Sequence, residues 1–213
     1  MRIEELWRYP VKSMAGERLA EAQATPAGIV GDRVVQVWQG PDRVVTSRTA
    51  PRLLGLHGTW DAAAGEPLVD GRPWASAEIA AKVRGAAGPH ARLKRFDGVE
   101  RFDVLPLLVA TDGAIALLGV DHRRLRPNVV IGGVEGLAER DWPGRRVRLG
   151  EVVIEVLKLR QRCVMTTYDP DTQEQDPGVL RRIVEEFGGR MALDCGIVQG
   201  GLLREGDPVE LLP

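Results

Sequence analysis

Cysteine is nearly absent. Cys163 and Cys195 are its only two examples, and with no CxxC pair neither a disulfide scaffold nor a thiol-rich metal cluster can be built. A single bond between the two is the most that could form. The three histidines, His57, His90 and His122, have no partners at metal-ligand spacing, which leaves zinc hydrolase chemistry without support. Lysine is scarce as well. Lys12, Lys82, Lys94 and Lys158 are lysines, and every other member of the 29 basic residues is arginine. Arginine's planar fork suits bidentate contact with anions, and GC-rich coding gives the same bias. A net charge of −1 argues against sequence-independent nucleic-acid binding, which needs a basic surplus. No apolar run approaches the ~20 residues of a membrane helix. Met1-Arg-Ile-Glu-Glu5 lacks the apolar core of a signal peptide. The expectation is a cytoplasmic protein with reduced thiols and neither a membrane nor a nucleic-acid partner. There is no Walker A loop, Rossmann glycine fingerprint or serine nucleophile elbow. Asp169-Pro-Asp171 with Glu174 and Asp176 lacks the central glycine of a calcium loop and reads as an acidic turn.

What is present is globular. With 213 residues, 44% hydrophobic and 28% charged, the chain can bury a core as one larger domain or as two small ones. Strands are expected over residues 1–9, 19–24, 34–38 with 44–45 as a hairpin partner, 53–60, 91–96, 105–109, 129–131, 152–159, 195–198 and 209–212. Pro/Gly turns such as Thr25-Pro-Ala-Gly28 separate them. Helices are expected from Ser76 to about Ala87, from Thr111-Asp112 through Leu118, and over 180–187 up to Gly188-Gly189. Residues 61–72 are weakly patterned, and 97–103 form a charged, loose stretch. The fold class is therefore α+β, mostly β, with a boundary between residues 104 and 105.

Four polar stretches lie where an expected strand gives way to a loop: Tyr9-Pro-Val-Lys-Ser13, Gly31-Asp-Arg33 with Thr46 and Arg48, Arg126-Pro-Asn128, and Arg162-Cys163. Lys12, Arg33, Arg48 and Arg126 are strong donors to phosphate or carboxylate. Asn128 carries both a donor and an acceptor suited to a heterocycle. If the loops converge, they form a site for an anionic heterocyclic ligand. If they do not, they are solvated turns. Cys163 is likewise open at this stage: a small buried hydrophobe beside Val164 and Met165, or a thiolate favoured by Arg162 that ligates a soft metal. Cys195, between Leu193 and Ile197, reads as core.

In this order the stretches resemble the MOSC family, the molybdenum-cofactor-sulfurase C-terminal domain proteins with an N-terminal β-barrel module. Tyr9-Pro-Val-Lys-Ser-Met14 and Gly31-Asp-Arg33 through Thr46-Ser-Arg48 resemble the N-terminal module. Arg124-Leu-Arg-Pro-Asn-Val-Val-Ile131, Arg162-Cys-Val-Met-Thr-Thr-Tyr-Asp-Pro170 and Gly206-Asp-Pro-Val209 resemble the MOSC domain. The resemblance implies a β-barrel-like module over 1–104 packed on a MOSC β-barrel over 105–213, with a few short helices. It also implies binding of molybdenum cofactor, a phosphate-bearing pyranopterin dithiolene. By the same resemblance Cys163 is the molybdenum ligand and the catalytic residue. Lys12, Ser13, Arg33, Arg126 and Asn128 match residues that hold the pterin and phosphate, and Thr46, Arg48, Asp112 and Arg162 fall at cofactor-binding positions.

The departures are specific. Gly113 and Ala114 replace the usual hydroxyl-bearing neighbours of Asp112, Gln161 stands at a cofactor-contacting serine, and Arg160 stands where a second cysteine is common. The implied activity is reduction of N-hydroxylated compounds such as hydroxylaminopurines or amidoximes. No cysteine cluster for an iron–sulfur centre exists in the sequence, so electrons are expected from a separate ferredoxin- or flavin-type reductase. The alternative is a carrier that delivers the cofactor or its sulfur without turnover of its own.

Overall fold

The structure, a computed structural model, describes residues 1–213 apart from the side chain of Val99. Strand β1 (Arg2–Arg8) buries Ile3 and Leu6, three residues apart, because its register shifts between Ile3 and Glu5. Short strands β2 (Glu17–Leu19), β3 (Glu21–Thr25) and β4 (Gly28–Ile29) follow. The β-branched run then forms β5 (Val35–Gln39), paired with β6 (Arg43–Val45). The strand expected over 53–60 is split instead. Pro51 pre-sets a helical start, and a 3-10 helix covers Pro51–Gly55 with adjacent Leu53 and Leu54 both buried, as a half-buried strand does not allow. Extended structure begins only at β7 (Gly58–Asp61), and β8 (Glu66–Val69) and β9 (Arg72–Pro73) turn the weakly patterned segment into a meander.

Helix α1 (Ala77–Ala87) starts where the Ser76 hydroxyl accepts the Ile79 amide, and it buries Ile79 and Val83. After β10 (Ala91–Arg95) and β11 (Leu107–Thr111), α2 (Asp112–Leu118) is capped by Thr111 and stopped by Gly119 at φ 67°. Next come β12 (Val129–Gly132), β13 (Arg146–Leu149) and β14 (Val152–Gln161). Helix α3 (Pro177–Phe187) has Asp176 as its cap and proline at its first turn. The chain continues with β15 (Arg190–Gln199), β16 (Gly201–Arg204) and β17 (Val209–Leu211).

The fold is α+β and mostly β. Eight strands form one sheet in the order β17-β13-β14-β15-β11-β12-β1-β2, so the first strand of the chain pairs with β12 through Leu6 and Val129. An isolated bridge joins Arg2 to Pro208, which curls the sheet, yet β17 and β2 remain its outer strands and it is not closed into a barrel. Small sheets β10-β5-β6, β16-β3-β4 and β7-β8-β9 complete the pairing. One core lies on the large sheet around Leu6, Leu107, Ile131, Leu149, Ile154 and Leu193, and Cys195 belongs to it. Burial pushes the Cys195 thiol far up, which keeps it protonated and inert. A second core gathers Val11, Met14, Val35, Val37, Leu53, Ile79 and Val83. Strand β11 is buried on both faces because Leu108 and Ala110 pack with Ala192 on the side away from the first core.

Near the end of β14 the ladder slips. Leu159 faces Leu193, but Gln161 faces Arg190, so β15 carries an extra residue there. Ala192 sits within that irregularity at φ 65°, a left-handed conformation for a residue with a Cβ. A bulge bends a strand and re-aims its side chains. Here it delivers Arg160-Gln-Arg-Cys163 to the seam between the two cores.

Candidate functional site

A cavity of about 100 Å³ lies at that seam, and the chain reaches it from both sides. Lys12 and Ser13 come from the loop after β1, Arg33 from the turn before β5, and Thr46 and Arg48 from the loop after β6. Arg126 arrives just before β12, and Gln161, Arg162 and Cys163 lie at and just beyond the end of β14. These nine residues of the sequence-derived set share one cavity. Ser13, Arg33 and Arg126 hold φ values of 75°, 54° and 57°, so three of its lining residues are non-glycine and left-handed. Such conformations cost of order 1–3 kcal/mol each and collect at functional sites, where surrounding bonds impose them.

The cations are placed by buried partners. The Asp32 carboxylate, with no exposed surface, accepts the Tyr9 amide at 2.7 Å and pairs with Arg33 Nη1 at 2.7 Å. Arg126 donates through Nη2 to the Met14 carbonyl at 2.7 Å and lies 4.3 Å over the Tyr9 ring, while Arg33 lies 5.4 Å from the same ring. Arg162 donates to the Leu125 carbonyl at 2.7 Å and leaves its buried Nε without a partner among the described residues. Burial lowers both guanidinium groups to about 10, so each remains charged at neutral pH. Burial also pushes the Tyr9 hydroxyl up to about 12, and it stays a neutral donor to the Pro127 carbonyl at 3.1 Å.

Cys163 is half-buried and free, and its carbonyl accepts the Thr166 amide at 3.0 Å, closing the turn Val164–Thr167. Burial alone would lower the Arg48 guanidinium, but Asp103 and the Cys163 sulfur beside it raise it above its ordinary value. Arg48 and Cys163 line the same cavity.

Two members of the set lie elsewhere. Asn128 is fully buried behind the cavity, with Oδ1 accepting the Leu108 amide and Nδ2 donating to Trp7 O and Asp32 Oδ2. Both of its donor hydrogens are used inside the fold. Asp112 is at the start of α2 and accepts the amides of Gly113, Gly133 and Val134 at 2.7–3.0 Å. Burial would raise its carboxyl, but those amides outweigh it and hold it below the usual carboxylate range.

The cavity also holds groups that the motifs did not single out. Asp103 bridges Lys12 Nζ at 2.8 Å and Arg48 Nη2 at 3.0 Å. Desolvation would raise the Asp103 carboxyl, yet Lys12 and Arg48 hold it below its ordinary value. The stretch 97–103, which reads as loose, is pinned by Arg101, only 6% exposed, through bonds to the carbonyls of Asp32, Asp97 and Gly98. Asp103 thus occupies the place of an incoming anion. Asp103→Asn is expected to tighten binding of inorganic phosphate roughly ten-fold, since two part-exposed pairs of up to about 1 kcal/mol each no longer compete. Titration calorimetry at low salt checks this, and unchanged affinity would show that Asp103 does not compete for the cradle.

Arg160 lines the cavity with Nε 3.1 Å from Oδ1 of Asp194, which is 1% exposed. Neither carboxylate oxygen of Asp194 receives a hydrogen bond, so only charge attraction holds the pair. Burial raises the Asp194 carboxyl despite Arg160 and Lys158. The folded protein then keeps a proton that the unfolded chain releases near its ordinary value of ~3.9. Stability linked to that proton is complete below the unfolded value and is lost as pH rises through the raised one. Asp194→Asn is expected to flatten this decline in urea denaturation as pH rises above about 4. A slope equal to the parent's would rule out Asp194 as its source.

Comparison with known proteins agrees with the fold. The family model described as MOSC domain matches residues 110–210, and that described as MOSC N-terminal beta barrel domain matches residues 1–103. The chain is similar to mitochondrial amidoxime-reducing component 1 of Homo sapiens, at 26% identity over 84% of this chain and 68% of the relative. It is also similar to component 1 of Mus musculus, at 25% identity over 99% of this chain and 82% of the relative. Among solved structures, the YUAD protein from Bacillus subtilis superposes with a TM-score of 0.54 at 14% identity, covering 99% of this chain and 94% of that one. That likeness is one of fold alone. No helix here is long and apolar enough to cross a membrane.

Proposed function

The chain belongs to the MOSC family, and on that premise we propose that it is a molybdenum-cofactor-dependent oxidoreductase that reduces N-hydroxylated compounds. The family is associated with molybdenum cofactor binding. The observation that carries the reading is the meeting of the Cys163 thiol with six cationic side chains, Lys12, Arg33, Arg48, Arg126, Arg160 and Arg162, in one cavity lined by three left-handed residues. Soft thiolate suits a soft metal, and the arginine forks and Lys12 suit phosphate. Among the described residues no group of three or more His, Cys, Asp or Glu could hold a metal ion. A metal at Cys163 therefore depends on sulfur donors supplied with it, as a dithiolene would supply them. At about 100 Å³ the cavity suits the metal-and-phosphate end of such a group and is smaller than the ~300–1,000 Å³ of ordinary ligand pockets. Displacement of Asp103 enlarges it.

When bound, the cofactor supplies the two-electron redox couple. The chain's own residues do the rest. Lys12 and Arg48, now paired with Asp103, would hold the phosphate, and Arg33, fixed by Asp32, would add to the same positive field. Cys163, which shares the cavity with Arg48, would be the protein's metal donor. In the net reaction the substrate N–O bond breaks, an N–H bond forms and water leaves, consuming two electrons and two protons. A separate reductase of ferredoxin or flavin type provides the electrons, and residues 1–104 and 105–213 act as two modules that share this one site.

Expression in a host that makes the cofactor, followed by metal analysis and turnover of 6-hydroxylaminopurine with a chemical reductant, tests the reading. Bound molybdenum with formation of adenine supports it. A fully loaded protein that forms no amine from hydroxylaminopurine or amidoxime would be a carrier.

A further inference from the structure

Two buried carboxylates pair with arginines that line the cationic cavity, and their surroundings differ. Asp32 is bonded on several sides, by the Tyr9 amide, the Asn128 side chain and Arg33. Asp194 is 1% exposed, and neither of its oxygens accepts a hydrogen bond among the described residues. A buried charge in that condition is costly unless a counter-ion stands beside it. Its ladder partners are Leu108 on β11, which is apolar, and Lys158 on β14, which is exposed. Lys158 and Arg162 favour its charge from farther off, and Asp103 opposes it. Its ion-pair partner is Arg160, Nε to Oδ1 at 3.1 Å.

Arg160 has a second claim on it. Its side chain keeps 18% of its surface exposed and lines the cavity with the other cations. At 3.1 Å without a hydrogen bond, its fork is misaligned to Asp194. Charge alone holds it there, and rotation about side-chain torsions is enough to aim the fork at an anion in the cavity. Burial already raises the Asp194 carboxyl with Arg160 in place, and withdrawal of that cation raises it further.

We propose that Arg160 is a cation shared between two anions: a tetrahedral oxyanion entering the cavity draws it from Asp194, and Asp194 takes up one proton from solvent. Charge then balances, since the carboxylate that loses its counter-ion becomes neutral as the anion arrives. This rests on the phosphate-binding part of the reading above and needs neither molybdenum nor turnover. Affinity for the anion falls as pH rises, because an ionised Asp194 competes for Arg160 and a protonated one does not. For one linked proton the limit is about ten-fold per pH unit.

The test is titration calorimetry of the full chain, prepared without cofactor, with sulfate, an oxyanion that stays ionised and exchanges no proton of its own. Parallel titrations in buffers of different ionisation enthalpy count the protons taken up. The parent is expected to take up protons with sulfate and to bind it more weakly as pH rises. Asp194→Asn keeps the shape and removes the charge. It should match the parent at acid pH and bind sulfate about ten-fold more tightly at alkaline pH. Asp103 and Cys163 also line the cavity and can exchange protons, but they are common to both proteins, so the difference between the curves belongs to Asp194. In an Arg160→Gln background, the same Asp194→Asn change should leave sulfate affinity unaltered at every pH. Thermal unfolding in parallel shows that each variant is folded.

Equal proton uptake and parallel affinities in parent and Asp194→Asn would overturn the proposal and make Asp194 a purely structural residue. Coupling that survives in Arg160→Gln overturns it as well, since Asp194 then acts on another cation. If sulfate binds the parent without proton uptake, the proposal falls and the phosphate cradle stands. If sulfate does not bind the parent at all, both fall.

Discussion

Replacing Cys163 by serine is expected to remove molybdenum from the protein while leaving its fold intact. The hydroxyl keeps the size of the side chain but is not ionised at neutral pH and is a harder donor, so the protein's bond to a soft metal is lost. Changes merely next to a metal ligand lower affinity ~10–100-fold, and loss of the ligand itself should exceed that. The backbone consequences are small. Cys163 is half-buried, its carbonyl closes the following turn through the Thr166 amide, and its side chain provides no cap to that turn. Elemental analysis of Cys163→Ser after cofactor-competent expression, with thermal unfolding alongside, separates metal loss from misfolding. Retention of molybdenum at the parent's stoichiometry would falsify the assignment of Cys163 as the ligand.

Asp32→Ala is expected to have the largest effect on stability. Its side chain has no exposed surface, and it satisfies the Tyr9 amide, the Asn128 side-chain amide and the Arg33 guanidinium together. Truncation strands all three. Breaking a buried ion pair by removing one partner costs about 3–5 kcal/mol, because the other charge remains uncompensated. For a chain of this size, about 1 kcal/mol corresponds to roughly 2–4 °C, so the melting temperature should fall on the order of 10 °C. Calorimetric scans settle the matter: a drop of less than about 2 °C would mean that water enters and replaces the lost carboxylate. Asp32→Asn, which keeps the shape and two of the contacts, should lose markedly less. The proposed phosphate cradle would weaken with Asp32→Ala as well, since Arg33 would be free to turn away from the cavity.

Much of this architecture is legible in the chain because its signals are local. Ser76 and Ile79, Thr111 and Ala114, and Gly188 at φ 64° mark helix ends through bonds spanning only a few residues. The β-branched run of β5 does the same for a strand, whereas the alternation of β1 is broken by a register shift between Ile3 and Glu5. The stretch 53–60 misleads because its leucines look extended until Pro51 is given its weight as a helix starter. Strand β16 escapes because Gly201 weakens the pattern of a very short edge element.

Within the site, the ordered motifs picked out loops that do share a cavity. Spacing could not show that Asn128 and Asp112 would use their polar atoms inside the fold, because that depends on amides brought in from β11, β1 and the loop after β12. Nor could it rank Asp103, which looks like one charge in a charged run until Lys12 and Arg48 are seen on either side of it. Arg160 was visible as a departure at its position. Its meaning needed Asp194, which faces it only across a bulged ladder.

The pairing of β1 with β12 bears on how the molecule is made. Arg2–Arg8 can pair with β2 close by, but its other partner, β12, follows more than half of the 213 residues later in synthesis. Until then β1 is a nascent edge with bare amides and carbonyls, the kind of segment that invites chaperone binding or self-association. Contacts so distant in sequence close slowly, since loop entropy is lost before any pairing repays it. Lys12 and Ser13, four and five positions beyond the last residue of β1, therefore meet Cys163 only after a long intervening stretch has been made. On the proposed function, insertion of a cofactor would be reserved for chains that have already folded, and metal content after expression would count them.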